Sequence, residues 1–559
     1  MTKRVGLPPV PASGMVHDAH TGFAGNTEMD YDDIIVGAGS AGCVLANLLS
    51  ADPARRVLLI EAGARDWHPY VHMPAGLAKL MKLTRYNWNY LTEPQAALDG
   101  RRLWWPRGKL LGGSSSINAM CYVRGRPADY ARWARITGDA GWDWPAVLPY
   151  FKRAEDNTRG ADAWHGTGGP LGVSDLRHVN PLSRLLLDAA QAAGFAHNDD
   201  FNGASQEGFG LYQVTQRAGA RCSSATAYLA PARGRSNLHV LTGALVTRLQ
   251  LRCARAEAVE LLQRGRSHRV EAGRVVLCGG TLNSPHLLML SGIGPATQLR
   301  AQGITVVQDL PGVGANLQDH LDTCTLIGSH SDATYDRVND LAVGLRWMLR
   351  RDGIGTSNIA EAGGFVRSRY ASDGECDLQF HFVPALLDDH GRHRLPGRGY
   401  TLHACALHPR SRGWLELAGP DPRTPIRIHA NYLSDAEGHD LRLLREGIRI
   451  AREIFAQASF DHVRGAEIFP GADIRDEAGL NAFIRRKAET IYHPVGTCRM
   501  GLDAGAVVDA GLRVRGIENL YVADASVMPD LPSGNTNAPT IMIAERAADL
   551  FLGRVSPVA

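Results

Sequence analysis

The sequence predicts an α/β fold, in which a domain made of separate stretches of chain carries an inserted domain with an antiparallel sheet. Residues 31–61 show an apolar strand, a glycine-rich turn, a helical pattern and a second apolar strand, which is the order of a βαβ unit. Strand-then-helix patterns return at 274–290 and 520–552. Segments 378–383 and 400–407 instead alternate in polarity, as antiparallel strands do.

The glycine-rich turn, DDIIVGAGSAG over 32–42, has the spacing and context of a dinucleotide-binding fingerprint. Gly37 permits the tight turn, Gly39 lets the backbone approach a pyrophosphate, and Gly42 allows close packing of helix on strand. The helix N-terminus adds amide donors and a positive dipole end. At the end of the second strand, Glu61 can accept hydrogen bonds from a ribose and disfavours a 2′-phosphate. We expect the dinucleotide to be contacted by Gly37, Gly39, Ser40, Gly42 and Glu61.

Size and composition indicate a globular protein of more than one domain. The chain has 559 residues, of which 44% are hydrophobic and 21% charged, and this is too long for a single core. A net charge of +3 gives no support for a nucleic-acid partner, which needs a basic face. No stretch reaches the roughly 20 apolar residues of a membrane span. The nine cysteines include no C-x-x-C pair, so we expect a cytoplasmic, reducing compartment and no metal site.

Two long motifs carry a family resemblance. GKLLGGSSSIN over 108–118 and GTLNSPHLLMLSGIG over 280–294 resemble the two signatures of the glucose–methanol–choline (GMC) oxidoreductases. The resemblance continues through GVGANLQDH over 312–320, HPVGTCRMG over 493–501 and VADASVMPDLPSGNTN over 522–537. It implies an FAD-binding domain of the p-hydroxybenzoate-hydroxylase type and redox chemistry without nicotinamide.

The resemblance and the patterns together predict the domain organisation. Residues 1–30 are polar and lack the apolar core of a secretory signal, so we expect a flexible leader, and Met29 could be the natural start. The remaining chain should divide between two domains. We expect FAD-binding stretches at 31–180, 236–325 and 491–559, and substrate-domain stretches at 181–235 and 326–490.

The resemblance also implies how FAD is held. The backbone of Val246 should lie near the adenine, and the first signature should wrap the flavin ring and ribitol. Ile117 stands where some relatives carry a histidine that links FAD covalently, so we expect the FAD here to be non-covalent. Beyond the fingerprint, the implied cofactor contacts are Arg107, Gly112, Gly113, Ser114, Asn118, Val123, Val246, Asp524, Ala525 and Asn537.

Alcohol oxidation requires a base for the hydroxyl proton, and histidine has a suitable pKa. Among 21 histidines, His493 lies in the HPxGT segment that supplies this base in the family. The resemblance implies that Asn537 is the second active-site residue, orienting the substrate oxygen, and Asn535 is the neighbour with which it could be confused. We expect His381 and His403 to be ordinary sheet histidines.

The implied function is oxidation of a primary alcohol to an aldehyde by proton abstraction and hydride transfer to FAD. The run 388–414 resembles choline-dehydrogenase-like and aliphatic alcohol dehydrogenases, which favours a quinone or another carrier as electron acceptor. Three alternatives stay open: an oxidase that uses oxygen, a flavin-containing hydroxynitrile lyase, and a flavin-binding protein without catalysis. A nicotinamide dehydrogenase is disfavoured, because the two signatures have no role there.

One helical pattern bears on location. LAVGLRWMLRR over 341–351 places Leu341, Leu345, Met348 and Leu349 at helical spacing beside arginines. Such a basic amphipathic helix can touch an anionic membrane, where quinone resides. Of the two interpretations, we favour a surface helix packed on its own domain, with peripheral contact to the inner membrane face as the alternative.

Overall fold

The computed structural model describes residues 31–371, 374–393 and 395–557. The predicted leader over 1–30 lies outside the described residues. Two seven-stranded sheets organise the described chain. Fourteen strands form them: β1 (Tyr31–Val36), β2 (Val57–Glu61), β3 (Gly208–Leu211), β4 (Leu238–Thr242), β5 (Ala244–Arg252), β6 (Arg255–Gln263), β7 (Arg266–Leu277), β8 (Leu321–Ser329), β9 (Ala362–Val366), β10 (Leu378–Val383), β11 (Gly399–Ala406), β12 (Arg464–Phe469), β13 (Glu489–Thr490) and β14 (Leu520–Val522).

The helices that matter for packing and for the site flank these sheets. In chain order they are α1 (Ser40–Leu49), α2 (Leu77–Leu80), α3 (Pro127–Thr137), α4 (Trp144–Ala154), α5 (Pro181–Ala192), α6 (Gly280–Leu290), α7 (Asp340–Arg350), α8 (His439–Phe455), α9 (Glu477–Lys487) and α10 (Asn537–Phe551).

The first sheet has the order β4-β2-β1-β7-β6-β5, with β14 pairing the end of β7. Strands β4, β2, β1, β14 and the second half of β7 run parallel. The first half of β7 pairs antiparallel with β6, so this long strand belongs to both parts. Helices α1 and α10 pack together in the largest core cluster, where Val44, Ile541 and Ala544 are fully or almost fully buried.

The second sheet is antiparallel, with the order β12-β8-β11-β10-β9-β3 and with β13 paired to β8. Alternation along β10 sends Leu378, Phe380 and Phe382 into a core shared with α5 and α8. The opposite side presents His381 and Val383 to a cavity between the two sheets. The predicted α/β fold with an inserted antiparallel sheet is confirmed, whereas the exact limits between the two domains stay a prediction.

All nine cysteines are free thiols, and Cys253 alone among them is exposed. Across the described ranges, no helix combines the length and the apolar character needed to cross a bilayer.

Candidate active site

A cavity of about 580 Å³ opens at the carboxyl ends of β1 and β2 and reaches the antiparallel sheet. Ligands of open parallel sheets bind at such strand ends. Thirteen of the residues predicted to bind FAD or substrate line it: Gly37, Gly39, Ser40, Glu61, Arg107, Gly113, Ser114, Asn118, Val246, His493, Asp524, Ala525 and Asn537.

Three further predicted cofactor residues lie outside this lining. Gly42 faces the carbonyl of Gly37, where a Cβ would stand 1.9 Å from the oxygen, so it serves the packing of α1 on β1. Gly112 lies against Ser116. Val123 is fully buried beneath Gly534 and packs with Phe365 and its neighbours. The structure therefore places these three behind the wall of the cavity.

The start of α1 is shaped to receive an anionic group. Gly37 has φ +103°, and a Cβ there would stand 2.5 Å from the carbonyl oxygen of Cys278, so a larger residue would strain the turn. A Cβ at Gly39 would meet only that oxygen, at 3.9 Å, which leaves the approach open. No side chain of the described residues caps α1, whose first intrahelical bond is donated by Cys43 N–H. The amides ahead of it are free donors at the positive end of the helix dipole.

Helix α10 begins beside α1 and also lacks a side-chain cap. Asn537, its first residue, accepts a hydrogen bond through Oδ1 from the Ser40 hydroxyl at 2.8 Å. This contact joins the two helix starts at the cavity. The side chain of Asn537 thus belongs to the dinucleotide end of the site.

Glu61 is buried and held by backbone donors. Its two carboxylate oxygens accept from Ala38 N–H at 2.9 Å and from Gly63 N–H at 2.7 Å. Burial raises the pKa of Glu61 to about 7, although these donors and Lys109 favour the charged form. Each oxygen keeps a further lone pair for a ribose hydroxyl.

Asp524 follows β14 and organises the start of α6. Its carboxylate accepts from Gly280 N–H at 2.8 Å and from the Ser284 and Ser526 hydroxyls at 2.6 Å each. Burial raises the pKa of Asp524, and the same donors oppose that rise. Asp524 therefore neutralises the positive end of the α6 dipole. The starts of α1 and α10 remain available for a diphosphate.

His493 is buried in the wall of the cavity, and its tautomer follows from its partners. Its Nδ1 lies 2.9 Å from Nδ1 of His320, whose Nε2 lies 2.9 Å from the carbonyl oxygen of Leu407. That carbonyl only accepts, so neutral His320 carries its proton on Nε2, and His493 must donate from Nδ1. Nε2 of His493 is then an unprotonated acceptor.

Burial and neighbouring cationic groups keep both imidazoles neutral. Burial, followed by the neighbouring His320, His381 and Arg107, lowers the pKa of His493 well below its usual value. Burial likewise lowers the pKa of His320 to about 3. A neutral His493 is able to take up a proton.

The amide beside His493 is Asn535. Its Nδ2 lies 3.1 Å from His493 Nε2, and its Oδ1 accepts from Gln379 Nε2 at 3.0 Å. The sequence interpretation paired His493 with Asn537, but the Asn537 side chain instead contacts Ser40. Two residues of chain at the start of α10 separate these environments, and the spacing of the motif did not distinguish them.

Asp319 holds the backbone of His493 in place. It accepts from His493 N–H at 2.8 Å and from the Thr490 hydroxyl at 2.6 Å, and Tyr432 donates its hydroxyl to the same carboxylate. Burial raises the pKa of Asp319 to about 6. Both Asp319 and His320 lie in the 312–320 motif, which signalled their presence but not their roles.

Beyond His493, the cavity is lined by groups of the antiparallel sheet that were expected to be structural. His381 and His403 both reach it. Burial lowers the pKa of His381 to about 3, and His403 pairs with Asp322. Within the described part of the chain, Asp389, His390 and Glu489 are the one group with metal-ligand geometry.

These residues fit FAD. Two uncapped helix starts face one cavity, with the open surface over Gly39 between them, and this suits a pyrophosphate. Glu61 and Val246 line the cavity beside the parallel strands and are placed for the adenosine half. The flavin half would lie toward Gly113, Ser114 and His493, with Ile117, an unreactive side chain, in the wall.

Comparisons with known proteins find relatives that match most of the chain. GMC oxidoreductase family models match residues 31–322 and 409–544. The alcohol dehydrogenase [acceptor] of Pseudomonas putida is 48% identical over 94% of this chain and 96% of its own. The mitochondrial choline dehydrogenase of Homo sapiens is 46% identical, covering 95% and 91%.

Solved structures extend the likeness to the whole fold. Pyridoxine 4-oxidase from Mesorbium loti has a TM-score of 0.86 at 36% identity, covering 94% of this chain and 100% of its own. An FAD-dependent oxidoreductase from Chaetomium thermophilum has a TM-score of 0.85 at 26% identity, covering 94% and 100%. The chain therefore belongs to the GMC oxidoreductase family, and FAD is its cofactor.

Proposed function

We propose that this protein oxidises a primary alcohol to an aldehyde and passes the electrons to a quinone or another carrier. The observation that supports it most is the unprotonated Nε2 of His493, held in the cavity wall by donors and acceptors that fix its tautomer. Bound FAD supplies the hydride acceptor. The chain's own residues must then bind the alcohol, orient it and take its proton.

His493 is the base in this proposal. The alcohol hydroxyl donates to Nε2, the position that the Asn535 amide occupies in the structure. As the proton moves to Nε2, Nδ1 keeps its hydrogen bond to His320, so the imidazolium stays in one orientation. Burial disfavours that charge, which makes proton return after the reaction favourable.

Asn535 is the orienting amide, in place of Asn537. Its Nδ2 can donate to the substrate oxygen while Gln379 holds Oδ1. An amide cannot act as a base, so the proton chemistry rests on His493. Asn537 we assign to the cofactor, because its contact with Ser40 joins the two helix starts at the dinucleotide end.

The FAD is proposed to be non-covalent. Ile117 is buried against Val71, Leu80 and Leu110 and offers no nucleophile. Denaturation with acid should therefore release all of the flavin into the supernatant. Flavin that stayed with the precipitated protein would contradict this assignment.

Two related points extend the proposal. The names of the Pseudomonas putida and human relatives favour a dehydrogenase, while the oxidase structures among the neighbours keep oxygen as the alternative acceptor. A cytoplasmic location is supported by nine free thiols.

The decisive experiment is anaerobic mixing of the FAD-loaded protein with choline and with aliphatic, benzylic and furanic alcohols. We expect bleaching of the flavin absorbance by at least one primary alcohol. Reoxidation by a quinone analogue faster than by oxygen would identify a dehydrogenase, and the reverse order an oxidase. A flavin that no alcohol reduces would contradict the proposal and favour a lyase.

A further inference from the structure

Helix α7 has an apolar face that is largely exposed to solvent in the described protein. Leu341, Leu345, Met348 and Leu349 are 73%, 47%, 55% and 82% exposed. They account for four of the ten large hydrophobic side chains exposed in the described ranges. Positions i, i+4, i+7 and i+8 form one stripe on a helix. Such a concentration on one helix marks an interaction surface rather than scattered exposure.

The helix is anchored by its opposite side, so this exposure is not a sign of a loose segment. Trp347 is buried, packs beside Gly355 and donates its indole N–H to the carbonyl of Gly219 at 2.8 Å. Arg351 stacks over the same indole at 3.7 Å. Asn339 caps the first turn by accepting from Ala342 N–H. The expected packing of α7 on its own domain is therefore achieved by Trp347, and the leucine stripe points away from it.

Positive charge flanks the stripe. Residues 337–352 contain four arginines and two aspartates. Arg346 pairs with Asp352 at 2.6 Å, and Asp340 pairs with Lys79 of α2. No ion pair or hydrogen bond to a described residue holds the side chains of Arg337 and Arg350. An apolar stripe beside unpaired arginines is complementary to an anionic lipid surface.

We propose that α7 docks this protein onto an anionic phospholipid bilayer. A second copy of the chain fits less well, because a twofold contact would place the patch, with its arginines, against itself. The proposed function enters only as the reason for docking, which would bring the site to a membrane quinone. Binding to lipid itself is independent of catalysis.

The position of α7 gives the docking a consequence. Lys79, its partner, lies on α2, and Leu77, Ala78 and Met81 of the same segment line the cavity. Lys82 next to them donates to the carbonyl of Gly391 at 2.6 Å, beside the cavity-lining residues 388–390. Docking through α7 would therefore hold this rim of the cavity near the membrane, where apolar alcohols and quinones partition.

The test is sedimentation of the FAD-loaded full chain with vesicles of phosphatidylglycerol and phosphatidylethanolamine, against phosphatidylcholine alone. We expect binding to the anionic vesicles that high salt weakens. The variant L341S/L345S/L349S should bind more than about a hundredfold more weakly, from the loss of leucine burial. Leu502→Ser, at a 68% exposed leucine near the end of α3, is the matched control and should bind as the wild type does.

A single charge reversal provides a second variant. Arg350→Glu exchanges an attraction for a repulsion and should weaken binding about tenfold or more. All variants should keep wild-type flavin absorbance and turnover with a soluble dye, while turnover with a quinone held in the vesicles falls.

Three results would overturn the proposal. The first is wild-type protein that stays in solution with both vesicle types. The second is a triple variant that binds the vesicles undiminished. The third is a wild-type dimer that the leucine substitutions convert to a monomer, since that would assign the stripe to a second copy. None of these results depends on whether an alcohol reduces the flavin.

Discussion

At the dinucleotide end of the cavity the anion-binding amides belong to one contiguous turn, whereas at the His493 end the contacts come from side chains of segments that are distant in sequence. The start of α1 is defined by residues 37–42, which are contiguous. Around His493, by contrast, the partners are His320, Asn535 and Asp319, up to 174 residues away. Backbone donors need only the correct local turn, while a side-chain network needs the whole fold.

The largest effect is expected at the side-chain end. His493→Ala should lower turnover by about 10²–10⁴, the usual contribution of a positioned base, because Asn535 cannot replace its proton uptake. The flavin content should stay at the wild-type level. Stopped-flow measurement of anaerobic flavin reduction checks this, and an unchanged rate would remove His493 from the proposed chemistry.

Asn535 and Asn537 test this comparison directly. They lie two residues apart at the start of α10, but Asn535 contacts His493 and Asn537 contacts Ser40 at the dinucleotide end. Asn535→Ala should slow flavin reduction about a hundredfold, through loss of a charge-assisted hydrogen bond to the developing alkoxide. Asn537→Ala should leave the reduction rate within about threefold and weaken FAD binding instead. Flavin-reduction rates and FAD titrations of both variants show which asparagine acts on the substrate and which one acts on FAD. The opposite pattern would restore Asn537 as the active-site amide.

At the dinucleotide end, added bulk should act on binding alone. Gly39→Val should weaken FAD binding about tenfold to hundredfold, since the side chain fills the open approach to α1. Thermal unfolding of the FAD-free protein should change little. Gly37→Ala is the contrast, because its φ of +103° and the nearby Cys278 carbonyl predict a lower free energy of unfolding as well.

The smallest effect is expected at His320, which acts through His493. His320→Gln should lower kcat/KM about tenfold and shift its dependence on pH. In the wild type the pKa of His493 lies well below 6.5, so activity should be constant above neutrality and fall only in acid. His320 also becomes charged in acid, so removing its imidazole takes away one cause of that low pKa, and the acid limb should move to higher pH. If the acid limb stays at the same pH, His320 serves packing alone.

Much of this architecture was readable from contiguous patterns. The strand–glycine–helix order predicted the parallel sheet. Alternation over 378–383 predicted a strand with two different faces, and the structure turns Leu378, Phe380 and Phe382 into the core. Thirteen predicted site residues line one cavity. Gly42, Gly112 and Val123 do not, because each packs against neighbouring parts of the chain behind the cavity wall.

The amphipathic stretch of α7 shows the limit of such patterns. Its periodicity predicted a helix with an apolar stripe, and the favoured interpretation packed that helix on its own domain. Trp347, rather than the leucines, is the residue that the domain buries. The periodicity of a helix does not determine whether its hydrophobic stripe is buried. That depends on whether the rest of the chain provides a surface that covers the stripe.

By itself, the sequence determined the fold class, the dinucleotide turn and the non-nicotinamide chemistry, and it singled out the histidine that we propose as the base. These depend on local backbone geometry and on contiguous motifs. The tertiary structure alone decided that Asn535 faces His493, that His320 sets its tautomer and that the leucines of α7 face outward. Those features depend on distances between side chains far apart in the chain, and only the packing of the two sheets establishes such distances.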